Sequence, residues 1–564
     1  MATILKNAKI YTMNEKDFWA DILVYEGEWI QYVGKEKEKA WLEYAGTNPK
    51  IVDMKGKMIL PGFVDSHTHP GMVSQSSWHI KLPWTEDPEE LLAFVADYGR
   101  KHPKEEIPFL YFEYYPTSMF GNKGPTKELL DQAISDRPCL CQDFGDHMHW
   151  VNTKMLEMME VDKNTPDPTP GLEMFVRDKD GEPTGWIKEY AWYHFADTLY
   201  KNIGWEPPMK MTPELLEPFF LFLEDNGITA MGEGILEGEA QLKAMKTLEE
   251  QGKLHVYYDG LLRFWSYKEL PERIQEIRRY QEVYTSKRIK IHTMKLFLDG
   301  TNESGNSALL EPHLNDPERK NRGEIKMSTE ELKDCMVLLN KEGLDLHIHV
   351  VGDRGFRVAC DAVEMAQKEA RQQKDPWVMQ VVLAHCELVH PDDRERPAKL
   401  GVTINWSCHW AGGYFGEEAI PFIGREKWES MYQFNPMIDS GALVALSSDV
   451  VTFYELHRAN PFFGMQVSNT RVDPEFALDD KIYPGGMRPQ KEACLSREFL
   501  LKGYTLNGAK QLRWDHIMGS LEAGKLANLV VLNEDLFRVL EMEIRNIQLD
   551  AVVFEGKVLR GQLG

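Results

Sequence analysis

No apolar run in the 564 residues approaches the ~18–20 needed for a membrane-spanning helix. The opening residues, Met1-Ala2-Thr3-Ile4-Leu5-Lys6-Asn7, lack the charged-then-apolar layout of a signal peptide. Cysteine is scarce: seven residues are scattered without a disulfide framework, and Cys139/Cys141 has the wrong spacing for a zinc knuckle. These absences point to a reducing cytoplasm. Positive charge is also short, with 65 Lys+Arg against 89 Asp+Glu and a net charge of −24. That balance excludes nucleic acid as a partner, since such a contact face needs Lys and Arg. There is no low-complexity segment and no internal repeat. What is present, 43% hydrophobic and 27% charged residues, is the composition of a soluble globular protein. The length predicts two domains or one large decorated one.

The two ends share a style. Ala20-Asp21-Ile22-Leu23-Val24-Tyr25 runs through a turn into Trp29-Ile30-Gln31-Tyr32-Val33, and near the C-terminus Leu529-Val530-Val531-Leu532 is followed by a hairpin pattern over 551–559. Residues 1–58 plus 517–564 are therefore expected to form one small β domain. The interior, 59–516, alternates short apolar strands with helical stretches such as 213–226, 329–342 and 354–368. Candidate strands are 109–112, 138–141, 228–231, 292–297, 345–349, 381–385, 402–405 and 443–449. Alternation of this kind predicts a parallel sheet, and about eight strands suit a (β/α)₈ barrel, so the expected class is α/β. The Pro-rich segment around 150–210 reads as an insertion over one face.

The chemistry gathers at strand ends. Ile59-Leu60-Pro61-Gly62-Phe63-Val64-Asp65-Ser66-His67-Thr68-His69 is an apolar run ending in two histidines that a strand would project on one face. Spacing alone proves little: 17 His among 564 residues give roughly 0.5 His-x-His by chance, and an isolated pair is more often structural than metal-binding. This chain has three, at His67/His69, His147/His149 and His347/His349. Further strand ends carry Lys295, His349, His385 and Asp449. A lone His or Asp at a strand end is usually a cap or a buried hydrogen bond. Several in succession would meet at the C-terminal face of a barrel, where two or more His and a carboxylate suit Zn²⁺ or a similar divalent ion.

As an ordered set the motifs resemble the amidohydrolase superfamily, and within it the YtcJ-like branch that includes N-substituted formamide deformylases. The matching segments are Leu60 to His69, His147 with Trp150-Val151-Asn152, Gly181 to Gly185 with Glu189, and Gly227-Ile228-Thr229. They continue with Met294 to Gly300, His349 to Arg354, Ala384-His385, Ser447-Ser448-Asp449, Tyr504 to Asn507 and Gly519 to Leu532. The resemblance implies a (β/α)₈ TIM barrel with a small β-sandwich built from both termini. It also implies hydrolysis of an amide-type C–N bond at a centre of one or two divalent metals, Zn²⁺ first. Carried over position by position, His67, His69 and Asp449 would hold one metal, and His349 and His385 another. Lys295 would be either a carboxylated bridge between the two or a plain lysine that binds substrate or pairs with a carboxylate.

The resemblance gives Asp449 the part of proton acceptor from water, and makes His147 and His409 candidates to orient the carbonyl oxygen. The catalytic set is then Asp449, Lys295 and His147. Trp406-Ser407-Cys408-His409-Trp410, Gly232-Glu233-Gly234 and Asn528 depart from the family pattern. Aromatics crowd the same loops: Trp78, Trp84, Tyr114, Tyr115, Trp186, Trp192, Tyr193, Trp406, Trp410, Tyr414 and Phe415. They would suit a small substrate with an apolar or aromatic part, or simply pack the core. Arg354, Arg458 and Arg488 are candidates to receive a carboxylate. The expected partners are a small molecule and a second copy of the chain, with no membrane. Rival readings are a non-hydrolytic metal-dependent lyase and a binding protein that has lost catalysis.

Overall fold

The computed structural model describes residues 1–564 except 15, 17, 208 and 414–416, and leaves out the side chain of 122. Eight parallel strands form one sheet: β1 (Phe63–Thr68), β2 (Ile228–Glu233), β3 (Tyr257–Arg263), β4 (Ile289–Phe297), β5 (Asp345–Val350), β6 (Val381–His385), β7 (Thr403–Ser407) and β8 (Leu443–Ser447). Their spatial order follows the chain, and the ends of the sheet approach each other. Asp449 N–H donates to His67 O at 2.8 Å, and Ser66 Oγ donates to Leu446 O at 2.8 Å. The buried carboxyl of Asp65 adds a clamp, accepting from Ser448 N at 2.9 Å and Ser448 Oγ at 2.6 Å. The result is a nearly closed barrel.

Strands buried on both faces explain the near-continuous apolar runs. In β5, Leu346, Ile348 and Val350 alternate with His347 and His349, and all are buried. The covering helices include Pro213–Asp225, Thr329–Glu342 and Asp353–Gln373. The second is delimited by its sequence: Ser328 and Glu331 form a capping box, and Gly343 ends it at φ 62°. Its Leu332, Cys335, Met336 and Leu339 form the buried stripe.

Two expected barrel strands lie elsewhere. The runs at 109–112 and 138–141 become Leu110–Tyr115 and Cys139–Asp143 in a separate six-stranded sheet with Ile80–Lys81, Met148–Val151, Met174–Arg177 and Pro183–Lys188. The inserted sheet spans Ile80 to Lys188, an excursion that begins earlier than the expected insertion around 150–210, before the chain returns through the covering helix Pro213–Asp225 to β2. Apolar runs report burial, and a second buried sheet produces the same signal. The barrel's remaining strand, β3, escapes the sequence pattern because Asp259 and Gly260 interrupt its apolar run.

The two termini meet in one eight-stranded sheet. Met58–Pro61 lies between Thr3–Tyr11, which it joins in parallel, and Leu529–Leu532, which pairs antiparallel to it. The chain then crosses into the barrel within one residue, Gly62. A Cβ there would collide with the Thr229 side chain, so the crossing requires glycine.

Candidate metal centre

Strand register sets the ligands side by side. Lys295 pairs with His347 and Phe297 with His349 across β4 and β5, and Val350 pairs with His385 across β5 and β6. His67 and His69 end β1, and Asp449 follows β8. The structure therefore brings His67, His69, Lys295, His349, His385 and Asp449 into the lining of one cavity. His147 joins them from the inserted sheet.

The Asp449 carboxylate is the point of convergence. His69 Nε2 lies 3.1 Å and His67 Nε2 3.3 Å from Oδ1, and His385 Nδ1 lies 3.2 Å from Oδ2. Donor atoms of His67, His69 and Asp449 all fall within 4.8 Å of one another. Burial, then the neighbouring Lys295 and imidazoles, push His67 well below the ordinary histidine value; His349 and His385 are pushed down by the same kinds of neighbour. Neutral imidazoles around a carboxylate gain no ion pair, yet they offer lone pairs to a cation. Among the described residues, His349 Nε2 has no hydrogen-bond partner. A Cβ at Gly234 would intrude on His67 Nε2 and on the His69 ring, so glycine keeps that side open. These donors fit a divalent cation.

His347 supports the centre from behind. Its Nε2 lies 2.8 Å from His67 Nδ1, which fixes the ring and leaves Nε2 facing Asp449. Lys295 Nζ lies 3.5 Å from His67 Nε2 and 5.0 Å from the Phe297 ring centroid. Burial, opposed by Asp449 and helped by Arg263, lowers its amine to about 7. His385 and Asp449 have φ of 75° and 53°, left-handed values that non-glycine residues hold only when surrounding structure imposes them.

His147 behaves differently. Burial alone would lower its pKa, but the Glu189 carboxylate, 2.7 Å from Nδ1, outweighs this with help from Glu303 and Asp143 and raises it to about 9. The turn that presents it is built by Asp143, whose Oδ1 accepts from His147 N at 3.1 Å and Met148 N at 2.8 Å. The imidazole faces the candidate metal ligands, with its ring 6.1 Å from that of His349.

Other candidates are spent elsewhere. His409 is buried in the turn Cys408–Ala411, while its neighbour Trp410 lines the cavity and stacks on His385 at 5.2 Å. Arg354 donates to the carbonyls of Arg322 and Gly323, Arg458 pairs with Asp473 and Glu475, and Arg488 donates to the carbonyls of Gly412 and Trp428. Of the aromatics, Trp78, Trp192 and Tyr193 line an adjoining cavity, whereas Trp406 stacks on Phe434 in the core. Tyr414 and Phe415 lie outside the described residues. Sequence reasoning passed over Tyr190 and Phe297 as cavity walls, and the supporting roles of His347 and Glu189. The i, i+2 relation to His349 was the available signal for His347.

A model described as the amidohydrolase family matches residues 50–560. The chain belongs to that family. Among similar proteins, the N-substituted formamide deformylase of Arthrobacter pascens is 24% identical over 98% of this chain and 97% of its own length. The putative amidohydrolase YtcJ of Bacillus subtilis is 22% identical over 99% of both. The exoenzymes regulatory protein AepA of Pectobacterium carotovorum is 28% identical over 78% of this chain and 92% of its own. Among solved structures, an uncharacterized metal-dependent hydrolase from Pyrococcus horikoshii superposes with a TM-score of 0.67 at 23% identity, covering 96% of this chain and 99% of the other. This likeness bears on the fold, and it agrees with the barrel. In this amidohydrolase, among the described residues, no helix is long and apolar enough to cross a membrane.

Proposed function

We propose that the protein is a metal-dependent hydrolase that cleaves a C–N bond, in an amide, N-acyl or N-formyl group, of a small compound with an apolar or aromatic part. The observation that carries this reading is the convergence of His67, His69 and His385 on the Asp449 carboxylate inside the cavity. His67, His69 and Asp449 would hold one divalent ion, Zn²⁺ first, and His349 and His385 a second. A divalent ion there would supply acidification of water and polarisation of the scissile carbonyl.

The chain's own residues account for the remaining steps. The carboxylate of Asp449 accepts the proton of the attacking water and passes it to the leaving amine. His147, held protonated by Glu189, donates its free N–H to the carbonyl oxygen as negative charge develops there. Trp410, Tyr190 and Phe297 exclude water and receive the apolar part of the substrate. Lys295 is buried, and its amine lies 3.5 Å from the His67 imidazole. Since an isolated buried ammonium is costly, a neutral amine or a carboxylated bridge fits that position better.

Elemental mass spectrometry of the purified protein tests the reading before any substrate screen. One or two divalent ions per chain are expected, and two would make Lys295 carboxylation the next thing to examine. No retained metal, even after adding ions back, would overturn the hydrolase reading.

A further inference from the structure

The lining of the cavity is rich in carboxyl groups. Besides Asp449 its lining holds four carboxyl groups, Asp146, Glu303, Glu387 and Glu455, against a single lysine, Lys295. Two of the four have local company: Asn302 Nδ2 donates to Glu387 Oε2 at 2.8 Å, and Glu303 faces the charged His147. The other two do not balance. Among the described residues, the hydrogen bond to the Asp146 carboxyl comes from the Gln142 amide, at 2.5 Å on Oδ1. Glu455 is 2% exposed, yet its Oε1 has no hydrogen-bond partner among the described residues. The cations near Glu455 are engaged: Arg458 pairs with Asp473 and Glu475, and Lys81 lies over the rings of Tyr114 and Tyr454 at 4.7 and 5.3 Å.

Burying a carboxyl group with no donor is unfavourable unless it keeps its proton or something arrives to pair with it. Burial, then the neighbouring carboxylates led by Glu455, pushes the Asp146 carboxyl well above its ordinary value, and burial pushes Glu455 up to about 8 against the pull of Arg458 and Lys81. The turn that carries Asp146 is held by Asp143, so the cluster is built rather than incidental. Tyr190 lines the same cavity, and an aromatic face beside carboxylates is the usual setting for a cationic nitrogen. An anionic substrate would meet four carboxyl groups here and no free arginine.

We propose that the cavity takes a compound bearing a cationic nitrogen, an ammonium or guanidinium group, seated between Asp146 and Glu455 with Tyr190 as its wall. This rests on the hydrolytic reading for its other end, where the scissile group meets Asp449 and His147. The net charge of the chain favours the approach of such a compound.

The test uses the metal-loaded full-length protein in two arms. Calorimetric titration compares n-hexylammonium with hexan-1-ol, a neutral analogue of matching length. The ammonium is expected to bind at least tenfold tighter, and this preference is expected to collapse in Glu455→Gln and in Asp146→Asn variants whose melting shows them folded. Equal binding of the two probes, or a preference that survives both substitutions, overturns the proposal. The second arm compares kcat/KM for two N-formyl amides of equal length, one ending in an ammonium and one in a methyl group. Faster hydrolysis of the ammonium amide, lost with the binding preference, supports it. Hydrolysis of both at equal kcat/KM overturns the cation site and leaves the hydrolase reading standing. Hydrolysis of neither, with the binding preference intact, supports the cation site and removes the hydrolase reading.

Discussion

Two His-x-His pairs in this chain end in opposite circumstances. In β1, His67 and His69 both reach the cavity, because a barrel strand runs its C-terminal end into the mouth and every inward residue there meets the site. In the inserted sheet, the same spacing at His147 and His149 divides the pair. His147 precedes its strand and faces the candidate metal ligands, whereas His149 is buried against Tyr190 and Trp192 and donates its Nδ1–H to the Glu189 backbone carbonyl, 3.1 Å away. Burial pushes His149 down to about 3, while its neighbour two residues earlier is raised to about 9. Spacing tells which side chains share a direction; the sheet decides what lies in that direction.

The comparison can be broken at four places, from the largest effect down. Asp449→Asn keeps the shape of the convergence but removes the proton acceptor, so kcat/KM should fall by about 10²–10⁴-fold with metal still bound. Retained turnover in that variant would remove Asp449 from the proton path. His347→Ala withdraws the support from His67 without touching a ligand, and metal affinity should drop by about 10–100-fold in competition with a chelator. An unchanged affinity would mean that β1 alone orients the ring.

Glu189→Gln separates the inserted pair by pH. In the native protein His147 has a raised pKa, so its contribution to stability is complete below about 6.5 and is lost as pH rises through about 9. Without the carboxylate, burial wins and the imidazole loses its proton at neutral pH. The alkaline limb of the pH–rate profile should move down by about two units, with kcat/KM at pH 8 falling about tenfold or more. A limb that stays near 9 would assign it to another group. The smallest effect is expected at His149→Phe, where kcat/KM should stay within about threefold, under 1 kcal/mol of activation energy. Urea unfolding should record a loss of about 1 kcal/mol for the broken hydrogen bond. A large fall in activity would place His149 in the site after all.

The barrel was legible in the sequence to the extent that its strands are uninterrupted. Six of the eight candidate runs, together with the second half of the stretch at 59–69, lie in barrel strands, since parallel strands covered by helices must be apolar on both faces. The error at 109–112 and 138–141 came from the same rule, because the inserted sheet is equally buried. Strand ends identified a set of side chains that share the cavity, and this works because a barrel gathers its C-terminal ends. The other carboxyl groups of the cavity lining were not legible. Asp146, Glu303, Glu387 and Glu455 come from loops of unrelated elements, and nothing local distinguishes a buried glutamate from the many exposed ones. His347 was visible in the sequence only as half of a His-x-His pair, and its part comes from the contact with His67.

The pairing of Met58–Pro61 between the N-terminal strand and Leu529–Leu532 has a consequence for how the molecule comes into being. The strand carrying His67 and His69 begins two residues after that pairing, and its far neighbour β8 supplies Asp449. During synthesis the first histidines emerge early, but the sheet that anchors them is incomplete until residue 532 has left the ribosome. Contacts of such long sequence separation form late and slowly. The centre therefore waits for a strand far along the chain: a nascent protein stalled between residues 449 and 529 would own these donors and still lack the frame that aims them.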